Sequence, residues 1–412
     1  MVYSNWPDDL ITEILVRLPV KSLLRFKCVH KNWYSLITSS FFVRKHLHHK
    51  ENPTHLLIPI YGEDVISQTG TTIYVLPDKI LSGLIPEKPS HSQISVQLNQ
   101  FIGRVDGLFF LLNISYQSHV NDSHRMALWN PATREFRPLQ LNLPKFTQSY
   151  FRYYDSVFGF GFDPISQDYK VVCIWFLSDQ DASIPYVWFA AVYSLDNDCW
   201  KKITCNFDAD LLMHRSIMSS TCFNGFYYWC ANITVTVSHN TYKQILLIRF
   251  FDMHNEVLGE FSWPNHIPAF DLCDLTIYKE SLCLLVRHLD LDDDHNNNYS
   301  DPPIDIWVMK DERLWIKVLN VVPTRTELLN VVPTISECQP IGFWGHDKFI
   351  FSRHENIMLY DSKTHEFTHL LDKNEERCYS SVFNYRESLV FIEWENVCHR
   401  QGDVLDLIQD FF

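Results

Sequence analysis

Two polar runs carry residue types suited to ion binding, and neither has the spacing for it. His46, His48 and His49 fall in HLHH with no cysteine nearby. Zinc sites pair their ligands at defined offsets, so this run reads as the solvated end of a helix. LDLDDDHNNNYSDPP puts Asp290, Asp292, Asp294, Asn296, Asn298 and Asp301 at calcium-loop offsets. His295 stands where that loop needs glycine, Asp301 where it needs glutamate, and strand-like runs flank it. It reads as an acidic loop, with Asp290, Asp292, Asp293, Asp294 and Asp301 on one tip. Solubility is the plainer role for such a tip; contact with a basic partner is the other. GxSxG, GxxxxGK[ST], HExxH and GxGxxG do not occur, so no catalysis, cofactor or metal is expected.

The elements that would position a binding surface differ sharply along the 412 residues. Residues 1–50 carry eight Lys/Arg and three acids, a net +5; the other 362 carry 27 and 46, a net −19. A basic head on an acidic body suggests two partners of different charge. Nucleic acid suits the body poorly, because phosphate binding needs a positive surface. Aromatics make up 15%, enough for a large core. There is no run of 18 apolar residues and no secretory signal, so neither membrane insertion nor export is expected. The 11 cysteines include no CxxC pair. They read as thiols of a reducing compartment, the cytoplasm or nucleus, and the sequons at Asn113, Asn121, Asn232 and Asn298 as chance matches.

The head has the period of helices. Leu10, Ile11, Ile14, Leu15 and Leu18 share one face. Pro7 suits the entry, Asp8 or Asp9 offers a cap, and Pro19 stops the helix. Ser22 could cap a second helix with Leu23, Leu24, Phe26 and Val29. A third would hold Trp33, Leu36 and Ile37, followed by Phe41, Phe42 and Val43. Three short helices bury little surface, so the unit should lean on a neighbour or partner.

Beyond residue 50 short β-rich runs alternate with turn residues. One signature recurs, an aromatic, a polar turn, then an aromatic or Leu: YVLPDKIL from Tyr74, WNPATREF from Trp129, YSLDNDCW from Tyr193, FDMHNEVL from Phe251, WVMKDERLW from Trp307 and YDSKTHEF from Tyr360. The intervals of 55, 64, 58, 56 and 53 residues fit a four-stranded blade, close to kelch spacing. The expected fold is mixed: an all-α head at 1–50, then an all-β, propeller-like body of about six blades at 51–412. A pair of β-sandwiches is the competing fold.

The segment from Trp6 to Leu47, WPDDLITEILVRLPVKSLLRFKCVHKNWYSLITSSFFVRKHL, resembles an F-box. That resemblance implies docking on the Skp-type adaptor of a cullin-based (SCF-type) ubiquitin ligase. The matching adaptor-facing positions are Trp6, Pro7, Leu10, Ile14, Leu15, Leu18, Pro19, Leu23 and Leu24, with Trp6 in place of the usual Leu; Val29 and Trp33 are expected to hold the helices together. LWNPATREFRPL (Leu128–Leu139), FGFGFDPISQDYKVV (Phe158–Val172), VYSLDNDCWKKI (Val192–Ile203), FNGFYYW (Phe223–Trp229) and DIWVMKDERLWIKV (Asp305–Val318) resemble the plant F-box-associated domain. Within that group the chain is most similar to S-locus F-box and S-locus F-box-like proteins, which implies a pollen receptor for basic style ribonucleases in self-incompatibility. A receptor for another plant target, or a scaffold that never directs degradation, stays open. Candidate target contacts are the acidic loop and FTQSYFRYYDSVF (Phe146–Phe158), with Tyr150, Arg152 and Tyr154; SDQDASIPYVWF (Ser178–Phe189) and the LNVVPT tandem at Leu319 and Leu329 are further loops. The C-terminal DVLDLIQDFF fits a short amphipathic helix or strand.

Overall fold

The computed structural model describes residues 7–49, 54–62, 71–77, 92–96, 100–113, 125–140, 151–179, 187–204, 212–213, 220–238, 241–264, 266–267, 272–287, 304–310, 313–321, 339–345, 347–353, 356–364, 366–370, 377–378 and 382–392. Four helices come first: α1 (Asp8–Leu15), α2 (Val20–Phe26), α3 (Lys31–Thr38) and α4 (Ser40–Leu47). The expected third helix is α3, and the Phe41–Val43 run that follows it forms a fourth helix of its own. Ser39, extended at ψ 141°, ends α3, and its hydroxyl accepts from Phe42 N–H to start α4. Ser22 does not cap; it lies inside α2, which begins on Pro19. Asp8 and Asp9 make no side-chain cap either; their charge sits in the first turn, where the helix dipole favours it.

Six antiparallel sheets follow among the described residues, the blade series of a six-bladed β-propeller. The strand orders exclude two sandwiches. In the second sheet Gln100–Val105, Leu108–Asn113, Arg125–Asn130 and Glu135–Leu139 pair in sequence order. The third, fifth and sixth sheets repeat that meander, and the fourth does so with a first strand in two pieces, Leu212–Met213 and Ser220–Phe223. The first sheet differs. Its second, third and fourth strands are Thr54–Gly62, Thr71–Pro77 and Ser92–Val96, while Arg377–Cys378 and Phe383–Arg386 fill the first position. One sheet is therefore built from both ends of the β region.

The recurrent signature marks the hairpin between third and fourth strands. Its two ends are cross-strand partners: Trp129 with Phe136, Tyr193 with Trp200, Phe251 with Leu258, and Tyr360 with Phe367. The residue after the aromatic caps the turn. Asn130 Oδ1 accepts from Ala132 N–H at 3.0 Å, Asp252 Oδ1 from His254 N–H at 2.9 Å, and Asp361 Oδ1 from Lys363 N–H at 2.9 Å; such side chains mimic a backbone turn. In the Trp307 copy the turn spans residues 310–314, one residue longer than the others, so Met309 rather than Trp307 faces Trp315. Tyr74 does lie on a third strand, but its partner is Gln93, so YVLPDKIL is not itself the hairpin.

The chain divides into two compact units, residues 1–140 with 375–412, and residues 141–374. In the second unit the aromatics pack between neighbouring sheets: Tyr227, Trp229 and Phe251 against Val157, Val172 and Ile174, and Tyr278 against Phe343, Phe349 and Tyr360. Gly159 lets Tyr227 lie over the strand; a Cβ there would stand 2.5 Å from the ring. The turns are tied by ions. Lys170 Nζ donates to Met253 O at 2.6 Å and to Glu256 at 3.0 Å, 3.5 Å from Asp163. Burial pushes the Asp163 carboxyl up, but Ser166, the amides of Ile165 and Ser166, and His254 outweigh it and hold it at about 2. A carboxylate whose folded pKa is depressed contributes stability above its unfolded pKa, and that contribution is lost as pH falls through the folded value. Stability should therefore drop by about 2 kcal/mol between roughly pH 4 and pH 2 on this account. Denaturant melts across that window should show a shallower acid loss for Asp163→Asn.

Candidate adaptor-docking face

The helical module folds around Leu15, Val16, Val20, Leu23, Ile37 and Phe42, with Leu389 from the far end of the chain. Ile11, Leu18, Leu24, Phe26, Trp33, Leu36, Val43 and Ala132 surround that centre. Trp33 meets Phe26 edge-on at 5.3 Å. Lys45 Nζ reaches Glu13 at 2.6 Å, joining α4 to α1, an exposed pair of small worth. His46 is buried, not solvated as its run suggested: its Nε2 lies 2.9 Å from Leu18 O. Burial pushes its pKa down against the pull of that carbonyl, which suits a neutral ring inside the module.

The expected docking positions separate into two sets. Leu10 is 41% and Ile14 49% exposed; one helical turn apart, they form a stripe on α1. Pro7 and Pro19 are exposed beside them, and Leu18 and Leu24 are half-buried. Leu15 and Leu23 are buried in the module's own core. Trp6 lies outside the described residues. Val29, expected to hold helices together, is 65% exposed, because it falls past the end of α2 in a turn. Tyr34 and Phe41 add exposed apolar surface, with Lys45 over the Phe41 ring at 5.8 Å.

Of the expected target contacts, Tyr150 and the loop with Asp290, Asp292, Asp293, Asp294 and Asp301 lie outside the described residues. Arg152 stands opposite Ser178 in the third sheet, and Tyr154 falls at the register shift between Tyr153 and Asp155. Among the described residues no group of three His, Cys, Asp or Glu side chains is placed to hold a metal ion.

Comparison with known proteins matches the same two regions. The F-box domain family matches residues 3–45, and the F-box associated beta propeller domain family matches residues 77–391. The chain belongs to the F-box-associated β-propeller family. Relatives in Arabidopsis thaliana include the putative F-box protein At3g10430, 29% identical over 229 residues, covering 55% of each chain. The putative F-box protein At5g62660 is 28% identical over 273 residues, 66% of each. F-box protein CPR1 is 24% identical over 397 residues, 91% of this chain and 86% of its own. The matched part thus spans about half to two thirds of the first two relatives. Among solved structures, an arabinanase from Penicillium chrysogenum gives a TM-score of 0.33 at 11% identity over 64% of this chain and 85% of its own, too low to bear on function.

Sequence reasoning missed Leu389, Ala132 and Asn130 as parts of this module. WNPATREF signals a hairpin, and nothing in ESLVF signals a contact with helices more than 300 residues earlier.

The two sets of positions should respond differently to substitution. Leu10→Asp with Ile14→Asp should leave Tm within a degree or two, as exposed changes do. Leu23→Ala, fully buried, should cost about 2–5 kcal/mol. Calorimetry of both variants checks the division.

Proposed function

We propose that this F-box protein is the substrate-recognition subunit of an SCF-type ubiquitin ligase, and that it does no chemistry itself. The observation that carries the reading is the Leu10–Ile14 stripe, flanked by Pro7 and Pro19, left exposed by a module whose core is already filled. Apolar side chains in such a patch mark an interaction surface, and here the F-box match supplies the partner class: a Skp-type adaptor and, through it, a cullin. The net +5 of residues 1–50 suits an acidic adaptor surface. The β body then holds a target protein, so that its lysines stay near a ubiquitin-charged conjugating enzyme at high effective concentration.

For the target, the reading extends to a basic style ribonuclease captured in pollen. The S-locus-like motifs and the net −19 of the body support it, and Tyr150, Arg152, Tyr154 and the acidic residues from Asp290 to Asp301 are the proposed contacts. The compartment that suits this role is the cytoplasm or nucleus.

Affinity capture from pollen-tube extract, with degradation blocked, tests both levels. The full chain should retain adaptor, cullin and a basic ribonuclease, the last released as salt rises. The Leu10→Asp, Ile14→Asp variant should keep the ribonuclease and lose adaptor and cullin. Retention of some other target in place of the ribonuclease defeats the self-incompatibility reading alone. A target whose level ignores proteasome inhibition points to a scaffold. Failure of the full chain to capture any adaptor defeats the receptor reading.

A further inference from the structure

The segment Ser388–Ile392 follows the closing strand Phe383–Arg386 and runs between the helices and the second sheet, all within one compact unit. Leu389 is 2% exposed in the centre of the helical core. Its neighbours on either side are held from the sheet. Asn130 Nδ2 donates to Ser388 O at 3.1 Å and to Val390 O at 2.7 Å. Ile392 N–H donates to Glu135 Oε2 at 3.0 Å, and Ser388 Oγ accepts from Val390 N–H at 3.1 Å. Phe391 lies under Lys27 Nζ at 5.6 Å. The strap passes so close to the first hairpin of the sheet that Gly107, at φ +80°, has no room for a side chain: a Cβ would stand 2.5 Å from Ser388 Cβ and 2.6 Å from Arg386 O.

Asn130 does two things with one side chain. Its Oδ1 caps the hairpin, as Asp252 and Asp361 do in their own sheets, by accepting from Ala132 and Thr133 N–H. Its Nδ2 has no counterpart in those aspartates. The residue after the signature aromatic is Ser194, Asp252, Val308 and Asp361 in the later copies and Asn only here. An amide is the one side chain of this set that offers both an acceptor and two N–H donors. The buried carbonyls of Ser388 and Val390 would otherwise lose these donors, which is costly in a dry site.

We propose that Asn130 is a positioning residue. It clamps the strap, the strap inserts Leu389 into the F-box core, and the docking face is thereby fixed to the first two sheets rather than tethered by the short connection before Thr54. The consequence for ligase geometry rests on the proposed function; the clamp itself does not. The F-box becomes a discontinuous module, completed only when Phe383–Arg386, the last of the described strands, has paired with Thr54–Gly62. A chain ending before residue 387 would carry a docking module with a gap where Leu389 belongs.

Hydrogen exchange on the full chain tests this without any adaptor. Asn130→Asp keeps the turn cap and removes the donors. It should speed exchange in Val20–Phe26, Lys31–Thr38 and the strap by about tenfold, the scale of one or two buried hydrogen bonds, and leave Leu108–Asn113 near its native rate. Leu389→Ala, with every clamp hydrogen bond available, should give the same regional pattern and serves if the aspartate variant does not fold. Native rates in the helices of both variants, or uniform acceleration across helices and sheet, would overturn the proposal. Separately, loss of adaptor binding by the unaltered chain would defeat the proposed function while leaving this result readable.

Discussion

The pairing of Phe383–Arg386 with Thr54–Gly62 is the constraint on which the first unit depends. It supplies the missing first strand of a sheet that begins with its second, and Arg386 Nε reaches Thr54 Oγ1 at 2.9 Å across 332 residues of sequence. Contacts so distant in sequence carry a loop-closure entropy that local pairs do not. Everything packed on that pairing depends on its being made. Tyr385 enters the cluster of Phe109 and Trp129 between the first two sheets, and the chain continues directly into Leu389 and the helical core. The N-terminal helices, though made first, share their core with the last described residues.

Local chemistry made much of this legible from sequence. In four of the six described sheets the aromatic–polar turn–aromatic signature names the third and fourth strands because its two ends face one another across a tight hairpin, and cross-strand aromatic pairs stabilise such turns. Prolines at 7 and 19 place the first two helix starts for the same local reason. Errors arose where side chains serve distant neighbours. Ser22 and Ser39 look alike as caps, and only Ser39 is itself extended, between two helices, whereas Ser22 lies inside α2. His46 sits in a polar run yet turns inward to a carbonyl 28 residues away. Leu15 shares the period of Leu10 and Ile14 but not their exposure, because periodicity locates an apolar stripe without saying which part of it a neighbouring helix covers. The strap could not be read at all, since its partners lie 257 to 260 residues away.

The two halves of the functional reading stand on different physics. Adaptor docking follows from apolar side chains left exposed on a small helical module, a short-range surface whose occupant is a matter of shape and burial. Target capture is expected of connections between strands on a rigid β scaffold, where charge governs encounter and selectivity more than affinity. Blade architecture is shared by many binding and catalytic proteins, so the target follows from those connections and not from the fold.

The most direct test of the central claim is a hydrogen-exchange footprint of purified Skp-type adaptor on the full chain. Protection should concentrate on α1 and the start of α2, around Leu10, Ile14 and Pro19, with the sheets unchanged. A footprint on the sheets, or none at saturating adaptor, would contradict that claim.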